Sequence, residues 1–507
     1  MALKLGGKRI IPKKNKVSSK KREDIRQFLF SLSLFCLALY VRLELVSTAR
    51  FSDDEAGFFS VGKAIIVDQK FPQLGPGLSG GKAHSPGPLL YYFVALGQVF
   101  YPNPEASNIL IALLGAISVI FIFSALSWEF SRQACAFAAI FFAFSPWHIF
   151  YSDHISNTPL LMFVASLAFW LVMRLRKRTE SWAVSLLVFL CALMPQLHLS
   201  CPFLWVGFYC LLNGRFRDWK ISAVGLGLLM ALICYFPYLE HEWQTQLGNF
   251  RAFTSAHGGG GRNGRFLYVP LYLFRFLTLD TTDFELAGYW GAYKQLDALK
   301  AAFLGSEVRP FSIFRLFNFV SSLTLAMAVI RLSFKERAKA KYKPFFRALG
   351  FSALFDMLLL AVLGKDFYSH YAVPLMIFLA PLIAIAVENV HRKYTPVIFV
   401  VLGIFVIGGV ESVFVISKQF DARNGLAVER MVLNYLLATE QPVSLEFKFK
   451  STLGPYKILA KEVYRKPLVI DAASEHKFVL GLVGTETPDG YEVIEQKAPV
   501  ILFKKRN

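Results

Sequence analysis

Three consecutive carboxylates, Asp53, Asp54 and Glu55, are the residues of this sequence best suited to acid–base chemistry. They closely follow an apolar run at 27-46 that is long enough to cross a membrane. A carboxylate in such a place can accept a proton as a general base or help to ligate a divalent cation. Acidic residues also stabilise the first turn of a helix, so a solvated acidic cap on a helix starting near Ala56 is the alternative interpretation.

The elements that position these carboxylates are predicted to be membrane helices, because the composition is not that of a soluble protein. Of 507 residues, 55% are hydrophobic and 18% are charged, whereas soluble domains have about 25% charged residues. The net charge of +20 would suit a nucleic-acid-binding protein, but the basic residues cluster at the N-terminus and in short segments between apolar runs. This is the positive-inside pattern of membrane proteins. We therefore expect membrane lipids as partners, and no nucleic acid.

About eleven apolar segments are candidates to span the bilayer, which needs about 20 mostly apolar residues per helix. They lie at 27-46, 105-128, 134-151, 158-173, 181-197, 198-212, 221-238, 311-331, 348-364, 372-390 and 396-415. From a cytoplasmic N-terminus, an odd number of crossings places every basic segment between spans on the cytoplasmic side. The sequence thus predicts an all-α polytopic membrane protein of about eleven transmembrane helices.

The chain divides into a basic cytoplasmic tail at 1-26, a transmembrane domain at 27-415 with outer loops at 47-104 and 239-310, and a soluble periplasmic domain at 416-507. In the last part, apolar and polar residues alternate in KFVLGLVG, YEVIEQ and PVILFKK, and TETPDG has the composition of a turn. This pattern predicts a small soluble α/β domain. The chain has no Asn-x-Ser/Thr acceptor with a permitted middle residue, which favours a bacterial inner membrane.

Five sequence blocks resemble, in order, those of bacterial polyprenyl-phosphate-sugar glycosyltransferases of the GT-C superfamily, whose relatives include protein O-mannosyltransferases and lipid A aminoarabinose transferases. The blocks are DDEAGFFSVGKAI, HSPGPLLYYFVALGQVF, FSPWHIFYSDHISNTPLLMF, MPQLHLS and FYSHYAVPLMIFLAP, and the similarity covers roughly 27-390. The resemblance implies a GT-C-like catalytic domain that takes sugar from a polyprenyl-phosphate-linked donor at the outer membrane face. The acceptor is a glycan, a lipid or a protein, and no nucleotide cofactor is expected.

In that superfamily an Asp-Glu pair after the first helix lies at the catalytic centre, and it matches Asp54 and Glu55 here, with Asp53 as an additional acid. The resemblance implies that an acceptor hydroxyl attacks the anomeric carbon of the sugar and expels a lipid phosphate, while a carboxylate takes the proton. Substrate-binding groups are expected on the outer side, at His84, Lys82, Asp153, His154, Arg262, Arg265, Lys365 and His370. The sequence leaves open whether a divalent metal ion takes part and identifies no ligands for one.

Two of these positions depart from the superfamily pattern. The aminoarabinose branch has an acidic residue and a lysine before the proline of the second block, where this chain has His84 and Ser85, with Lys82 nearby. Asp153 stands where many relatives have a basic residue, so it is either a second acid of the site or a helix cap. His198 in the fourth block is a weaker candidate, either lining the cavity or hydrogen-bonded at a helix break.

A transporter or lipid flippase is the main alternative function, because a bundle of membrane helices with few buried charges is also typical of a permease. Against it, the acids concentrate in one outer loop rather than at the bilayer midplane. A glycan polymerase or ligase would use the same lipid carriers without depending on the acids after the first helix. A noncatalytic assembly subunit is the third alternative, and the complete acid motif argues against it because such a subunit would not need those acids.

Overall fold

Apolar helices form most of the chain in the computed structural model of this protein. The structure describes residues 14–78, 82–198, 218–256, 273, 275–277, 313–363, 373–390, 394–419, 425–439, 441–448, 451–497 and 500–506. The first helices are α1 (Lys14–Leu43), α2 (Asp53–Val67), α3 (Leu89–Gln98), α4 (Pro104–Ser127), α5 (Arg132–Phe144), α6 (Pro146–Phe150), α7 (Asn157–Lys177) and α8 (Ser181–Leu197). They are followed by α9 (Ile221–Gln244), α10 (Gly248–Ala256), α11 (Ile313–Lys335), α12 (Lys343–Leu363), a 3₁₀ segment (Val373–Phe378), α13 (Leu379–Glu388) and α14 (Thr395–Gln419).

Within the described residues, five helices are long and apolar enough to cross a membrane, so the chain is a multi-pass membrane protein. These spans are Glu23–Leu43, Pro104–Ser127, Asn157–Lys177, Ile221–Gln244 and Leu316–Lys335. Shorter apolar helices lie at Leu89–Gln98, Arg132–Phe144, Ser181–Leu197, Leu375–Glu388 and Thr395–Glu411. The total of about eleven spans stays a prediction, and the span predicted at 198-212 lies outside the described residues except for its first residue.

Helix α4 packs against α1, α3, α5 and α7, so it lies at the centre of the first half of the bundle. Its residues Ala112, Ala116 and Val119 are fully buried. Small side chains at such contacts let membrane helices approach closely, and this packing takes the place of the hydrophobic driving force that lipid does not supply. The helix begins at Pro104, where the Asn103 side chain accepts a hydrogen bond from the backbone of Glu105.

The segment between α1 and α4, predicted as the first outer loop, contains two short helices, α2 and α3, which pack against each other. Gly62 makes the close contact possible, since a Cβ atom there would lie 2.8 Å from Val94 Cγ1 and 2.9 Å from Gln98 Nε2. The Gln98 side chain also donates a hydrogen bond to the carbonyl of Phe59 at 3.2 Å. The helix that carries the acids is therefore fixed against α3.

A small α/β unit follows α14. It contains α15 (Leu426–Ala438), β1 (Ser444–Phe447), α16 (Gly454–Glu462), β2 (Lys477–Leu482), β3 (Tyr491–Lys497) and β4 (Val500–Lys505). The strand order is β1-β2-β4-β3, with β1 and β2 parallel and the other pairs antiparallel. Strands β2, β3 and β4 lie where the alternating segments predicted them. Leu480 and Leu502 are paired across β2 and β4 and are fully buried, so they anchor the sheet in the core.

Two ion pairs join this C-terminal α/β unit to α2 and to the start of α4. Lys63 Nζ of α2 lies 2.9 Å from Glu462 Oε2 at the end of α16. Arg430 Nη2 of α15 lies 2.6 Å from Glu105 Oε2 in the first turn of α4. Because α16 also packs along α2, the unit lies directly on the acid-bearing helix.

Candidate active site

Ser52 and Glu55 form a capping box at the start of α2. The Ser52 backbone N–H donates to Glu55 Oε2 at 2.9 Å, and the Ser52 hydroxyl donates to the same oxygen. Glu55 is 4% exposed, and Arg50 Nε lies 3.6 Å from its Oε1. Glu55 thus has the capping role of the alternative interpretation, although the helix begins at Asp53 rather than near Ala56.

Asp53 contacts the C-terminal unit. Its Oδ1 accepts a hydrogen bond from the Thr452 hydroxyl at 2.8 Å. Gly454, where α16 begins, lies against the same oxygen so closely that a Cβ atom would collide with it. Asp53 therefore ties the acid segment, defined here as residues Ser52–Glu55, to the C-terminal unit.

Asp54 is an exposed carboxylate between these two engaged acids. No hydrogen bond joins its side chain to another residue in the part of the chain that the structure describes. Packing around the carboxyl raises the pKa of Asp54, the charges of Glu55 and Asp53 raise it further, and Arg50 opposes them. An accessible carboxylate with a raised pKa is a better proton acceptor than an ordinary aspartate.

Tyr91 of α3 lies beside Asp54 and was missed by the sequence reasoning. Its ring centroid lies 6.1 Å from that of Phe58. Burial raises the pKa of Tyr91 to about 12, and the Asp54 charge contributes to the shift. The phenol therefore stays protonated and can donate a hydrogen bond to a substrate. Its only signal in the sequence was its place in the second block, HSPGPLLYYFVALGQVF.

Asp153 and His154 form a buried pair that interacts with Glu55. His154 Nδ1 lies 2.6 Å from Asp153 Oδ1, and the two residues are 3% and 7% exposed. Burial lowers the pKa of His154, but the hydrogen bond to Asp153 and its charge raise it above its usual value. Burial alone would raise the pKa of Glu55, but the charges of Arg50 and His154 act against it, and the pKa lies below its usual value. The acid segment and the pair of Asp153 and His154 therefore form one electrostatic cluster.

Arg42 of α1 holds the turn that carries this pair. Its side chain is fully buried, with Nε donating to Ser152 Oγ at 2.8 Å and Nη1 donating to the Ala38 carbonyl at 2.8 Å. Its Nη2 lies 2.6 Å from His148 Nδ1, which must be the acceptor because a guanidinium nitrogen can only donate. Arg42 thus fixes the residues immediately before Asp153.

His84 lies at a contact between the segment that precedes α3 and helix α10. Its backbone N–H donates to Asn249 Oδ1 at 2.7 Å, and its carbonyl accepts from Asn249 Nδ2 at 3.0 Å. Its ring Nδ1 lies 3.0 Å from the Gly75 carbonyl oxygen, which can only accept a hydrogen bond, so Nδ1 carries a proton and donates it to that oxygen. Lys82 is exposed two residues earlier. In the described residues, the hydrogen bonds of His84 do not reach the acids.

The other predicted substrate-binding residues lie outside the described residues. They are Arg262, Arg265, Lys365 and His370. His198 ends α8 as its C-cap. Among the residues that the structure describes, no group of three or more His, Cys, Asp or Glu side chains is arranged to hold a metal ion.

The helical bundle and the α/β unit that follows α14 form a fold that is shared with solved structures. The chain is similar to ArnT from Cupriavidus metallidurans bound to undecaprenyl phosphate, with a TM-score of 0.55 and 10% identity over 93% of this chain and 97% of that one. The apo structure of the same protein gives a TM-score of 0.54 at 10% identity, with the same 93% and 97% coverage.

The oligosaccharyltransferase of Archaeoglobus fulgidus in its apo form gives a TM-score of 0.45 at 12% identity, covering 87% of this chain and 64% of that one. No protein-family profile and no curated protein sequence matches the chain. The resemblance to the GT-C superfamily inferred from the five sequence blocks is confirmed for the fold by the two ArnT structures.

Proposed function

We propose that this protein is a glycosyltransferase of the bacterial inner membrane that moves a sugar from a polyprenyl-phosphate donor to a glycan, lipid or protein acceptor at the outer face. The observation that carries the proposal is the accessible Asp54 carboxylate at the start of α2, whose pKa is raised by packing and by the charge of Glu55 and whose own charge acts on Tyr91. The fold supports the donor class, since ArnT was crystallised with undecaprenyl phosphate.

In the proposed reaction, the acceptor hydroxyl oxygen attacks the anomeric carbon of the sugar, and the bond between that carbon and the phosphate oxygen breaks. The electron pair of the broken bond leaves with the polyprenyl phosphate, and the hydroxyl proton passes to Asp54. Tyr91 donates a hydrogen bond to the bound sugar or acceptor. Glu55 keeps its charge and holds the start of α2 in place through Ser52 and Arg50.

Asp54→Asn tests the proposed base. Asn has a similar size and caps helices about as well as Asp, but it cannot accept the proton. We expect turnover, measured as polyprenyl phosphate released by the purified protein, to fall by roughly 10²-fold or more, while expression and carrier binding persist. Asp68→Asn, an exposed residue at the other end of the same helix, is the matched control and should keep its turnover.

Full activity of both Asp54→Asn and Glu55→Gln, with no effect of a chelator, would overturn the catalytic interpretation of the acid segment. The same product assay separates the transferase from a flippase. A flippase moves the lipid-linked sugar across the membrane without releasing polyprenyl phosphate.

The leaving phosphate needs cations at headgroup depth, and we propose them among the basic residues predicted on the outer side. These are Lys82, Arg262, Arg265, Lys365 and His370. Changing Arg262 and Arg265 together to Ala should mainly raise the apparent KM for the carrier. Kinetics equal to those of the wild type would remove both arginines from the site.

A divalent cation is a separate proposal, and no step above depends on it. An acceptor that is already an anion, such as a lipid phosphate, needs little deprotonation. With such an acceptor, Asp54 and Glu55 would act by positioning or metal ligation instead. Turnover would then disappear with EDTA and return with added Mg²⁺ or Mn²⁺, and unchanged turnover in EDTA would reject this variant of the mechanism.

A further inference from the structure

A buried carboxyl group, Glu429, lies at the contact between the C-terminal unit and the acid segment. Glu429 of α15 is 1% exposed, and its Oε2 has no hydrogen-bond partner within the described residues. Buried polar atoms are nearly always hydrogen-bonded, and an isolated buried carboxylate charge is far more costly than a neutral group. A carboxyl in this environment therefore needs an explanation beyond packing.

Helix α15 begins beside the residues that lead into the acids. The Leu426 N–H donates to the Ala49 carbonyl at 3.3 Å, and Gly425 pairs with Arg50 in an antiparallel bridge. Glu429 lies one turn further along the helix, so its side chain is placed by the same contact that fixes the chain immediately before Ser52.

The groups that face Glu429 favour its uncharged form. Burial raises the pKa of Glu429 well above its usual value, and the charges of Glu55 and Asp53 raise it further. From α16 it faces Tyr456, whose hydroxyl is buried and has no hydrogen-bond partner in the described part of the chain. Burial raises the pKa of Tyr456, and the Glu429 charge contributes to that shift.

Arg430, the next residue in the chain, and Arg50, on the other side of the contact, both interact with other carboxylates. Arg50 lies 3.6 Å from Glu55, and Arg430 donates to Glu105 Oε2 at 2.6 Å and to Asn103 Oδ1 at 2.7 Å. Among the described residues no ion pair includes Glu429. Because no cation neutralises Glu429, a bound proton is what makes this carboxyl group compatible with its buried position.

We propose that Glu429 is a positioning residue of the acid segment, one that keeps its proton while the C-terminal unit is docked on α2 and that repels Asp53 and Glu55 once the proton is lost. The proposal concerns how the two parts of the chain are held together, and it bears on catalysis only through the proposed function of the acid segment. Its consequence is an acid segment that loses its geometry when the pH rises far enough to remove the proton from the docked Glu429.

Hydrogen exchange of the full-length protein in detergent tests docking without any substrate, so its outcome is independent of the transferase proposal. Backbone protection of α2 and α15 is compared at matched pH values from about 6 to 10 in the wild type, in Glu429→Gln and in the control Glu475→Gln. Glu475 is an exposed glutamate of the same unit.

We expect the wild type and the control to lose protection by up to about tenfold per pH unit between the ordinary pKa of a glutamate and the raised pKa of the docked Glu429, because over that interval the undocked carboxyl is charged while the docked one still holds its proton. Glu429→Gln should keep its protection over the same range. Glu429→Met, which has a similar volume and no charge at any pH, is the second variant and should show the same flat profile if the Gln variant does not fold.

Equal pH dependence in the wild type and in the folded variants would overturn the proposal. A second readout follows turnover, where the ratio of the rate at high pH to the rate at neutral pH should be larger in Glu429→Gln than in the wild type. Should the protein lack transferase activity altogether, the proposed function fails, and the exchange experiment alone decides the role of Glu429.

Discussion

Asp54 and Glu55 are neighbours in the sequence, yet their environments separate their proton affinities. The pKa of Asp54 is raised by packing around its carboxyl and by the adjacent acids. Burial also acts on Glu55, but Arg50, His154 and the hydrogen bond from Ser52 lower its pKa below the usual value. Pairs of acids whose pKa values are pushed apart commonly divide the roles of proton carrier and fixed charge. On this basis the proposed function assigns the role of base to Asp54 and that of fixed charge to Glu55.

The pH dependence of turnover follows from this division. A base is active when deprotonated, so turnover is present above the pKa of Asp54 and is lost as the pH falls through it. Since that pKa is raised from 3.8, the acidic limb of the kcat profile should lie above pH 3.8. The residual turnover of Asp54→Asn should lack this limb. An identical limb in that variant would assign the ionisation to another group.

Glu55→Gln should lower stability mainly through the lost charge, because Gln can still accept the capping hydrogen bond from Ser52. We expect a loss of about 1 kcal/mol near neutral pH from the missing interactions with Arg50, His154 and the helix N-terminus. The folded-state pKa of Glu55 is depressed from 4.5, so its contribution is present above pH 4.5 and is lost as the pH falls through the folded value.

Thermal unfolding in detergent at neutral and acidic pH measures this difference. The gap between wild type and Glu55→Gln should close on acidification. A gap that is the same at both pH values would mean that the charge of Glu55 does not stabilise the fold.

Adjacent acids after an apolar run form a local pattern, and for that reason the segment from Asp53 to Glu55 was predictable from sequence. Glu429 and Tyr456 were not, since a single Glu in AVERMV or a single Tyr in GPYKIL has no local signature. Their significance comes from burial against a helix that lies far away in the chain. Tertiary contacts of this kind have no periodicity or motif that sequence reasoning can detect.

At the scale of elements, the packing of α2 on α3 depends on a glycine and can be tested with a matched pair of substitutions. A Cβ atom on Gly62 would lie 2.8 to 3.0 Å from atoms of Val94, Gln98 and Ala95, whereas at Gly57 of the same helix nothing lies within 4 Å. Gly62→Ala should cost about 1–3 kcal/mol through overpacking.

Gly57→Ala should instead stabilise the protein by up to about 1 kcal/mol, because Ala is the better helix former. Unfolding temperatures of the two variants, measured side by side in detergent, check both values. Equal effects of the two substitutions would show that the contact between α2 and α3 is loose.

Most helices were predicted within a few residues because long apolar runs are a strong signal, and the differences have local causes. The span predicted at 134-151 is two helices, α5 and α6, since Ser145 precedes Pro146 and takes an extended conformation with ψ 125°. A residue before proline avoids the helical region for steric reasons. Helix α1, described from Lys14 onward, extends ahead of the predicted span, and its polar first part contains several Lys and Arg residues, which are good helix formers.

At the scale of the whole molecule, we predict a cytoplasmic N-terminus and an outer location for 416-507. Only an odd number of crossings places the basic segments between spans on the cytoplasmic side. Reporter fusions after Arg26, Arg178, Lys343 and Gln419 test the topology, and the last of these should report the outer side while the others report the cytoplasm. A cytoplasmic C-terminal unit would contradict the span count and separate the acid segment from the predicted outer face.

The hydrogen bond from Thr452 to Asp53 joins residues 399 positions apart in the chain, and this distance has a consequence for the order of biosynthesis. A nascent chain that has already inserted α1 to α14 still lacks Thr452 and Gly454. Domains fold as they emerge during synthesis, so the acid segment gains its last contacts only after the C-terminal unit has been made. A polypeptide released early, even with all its membrane helices in place, would therefore have an incomplete acid segment.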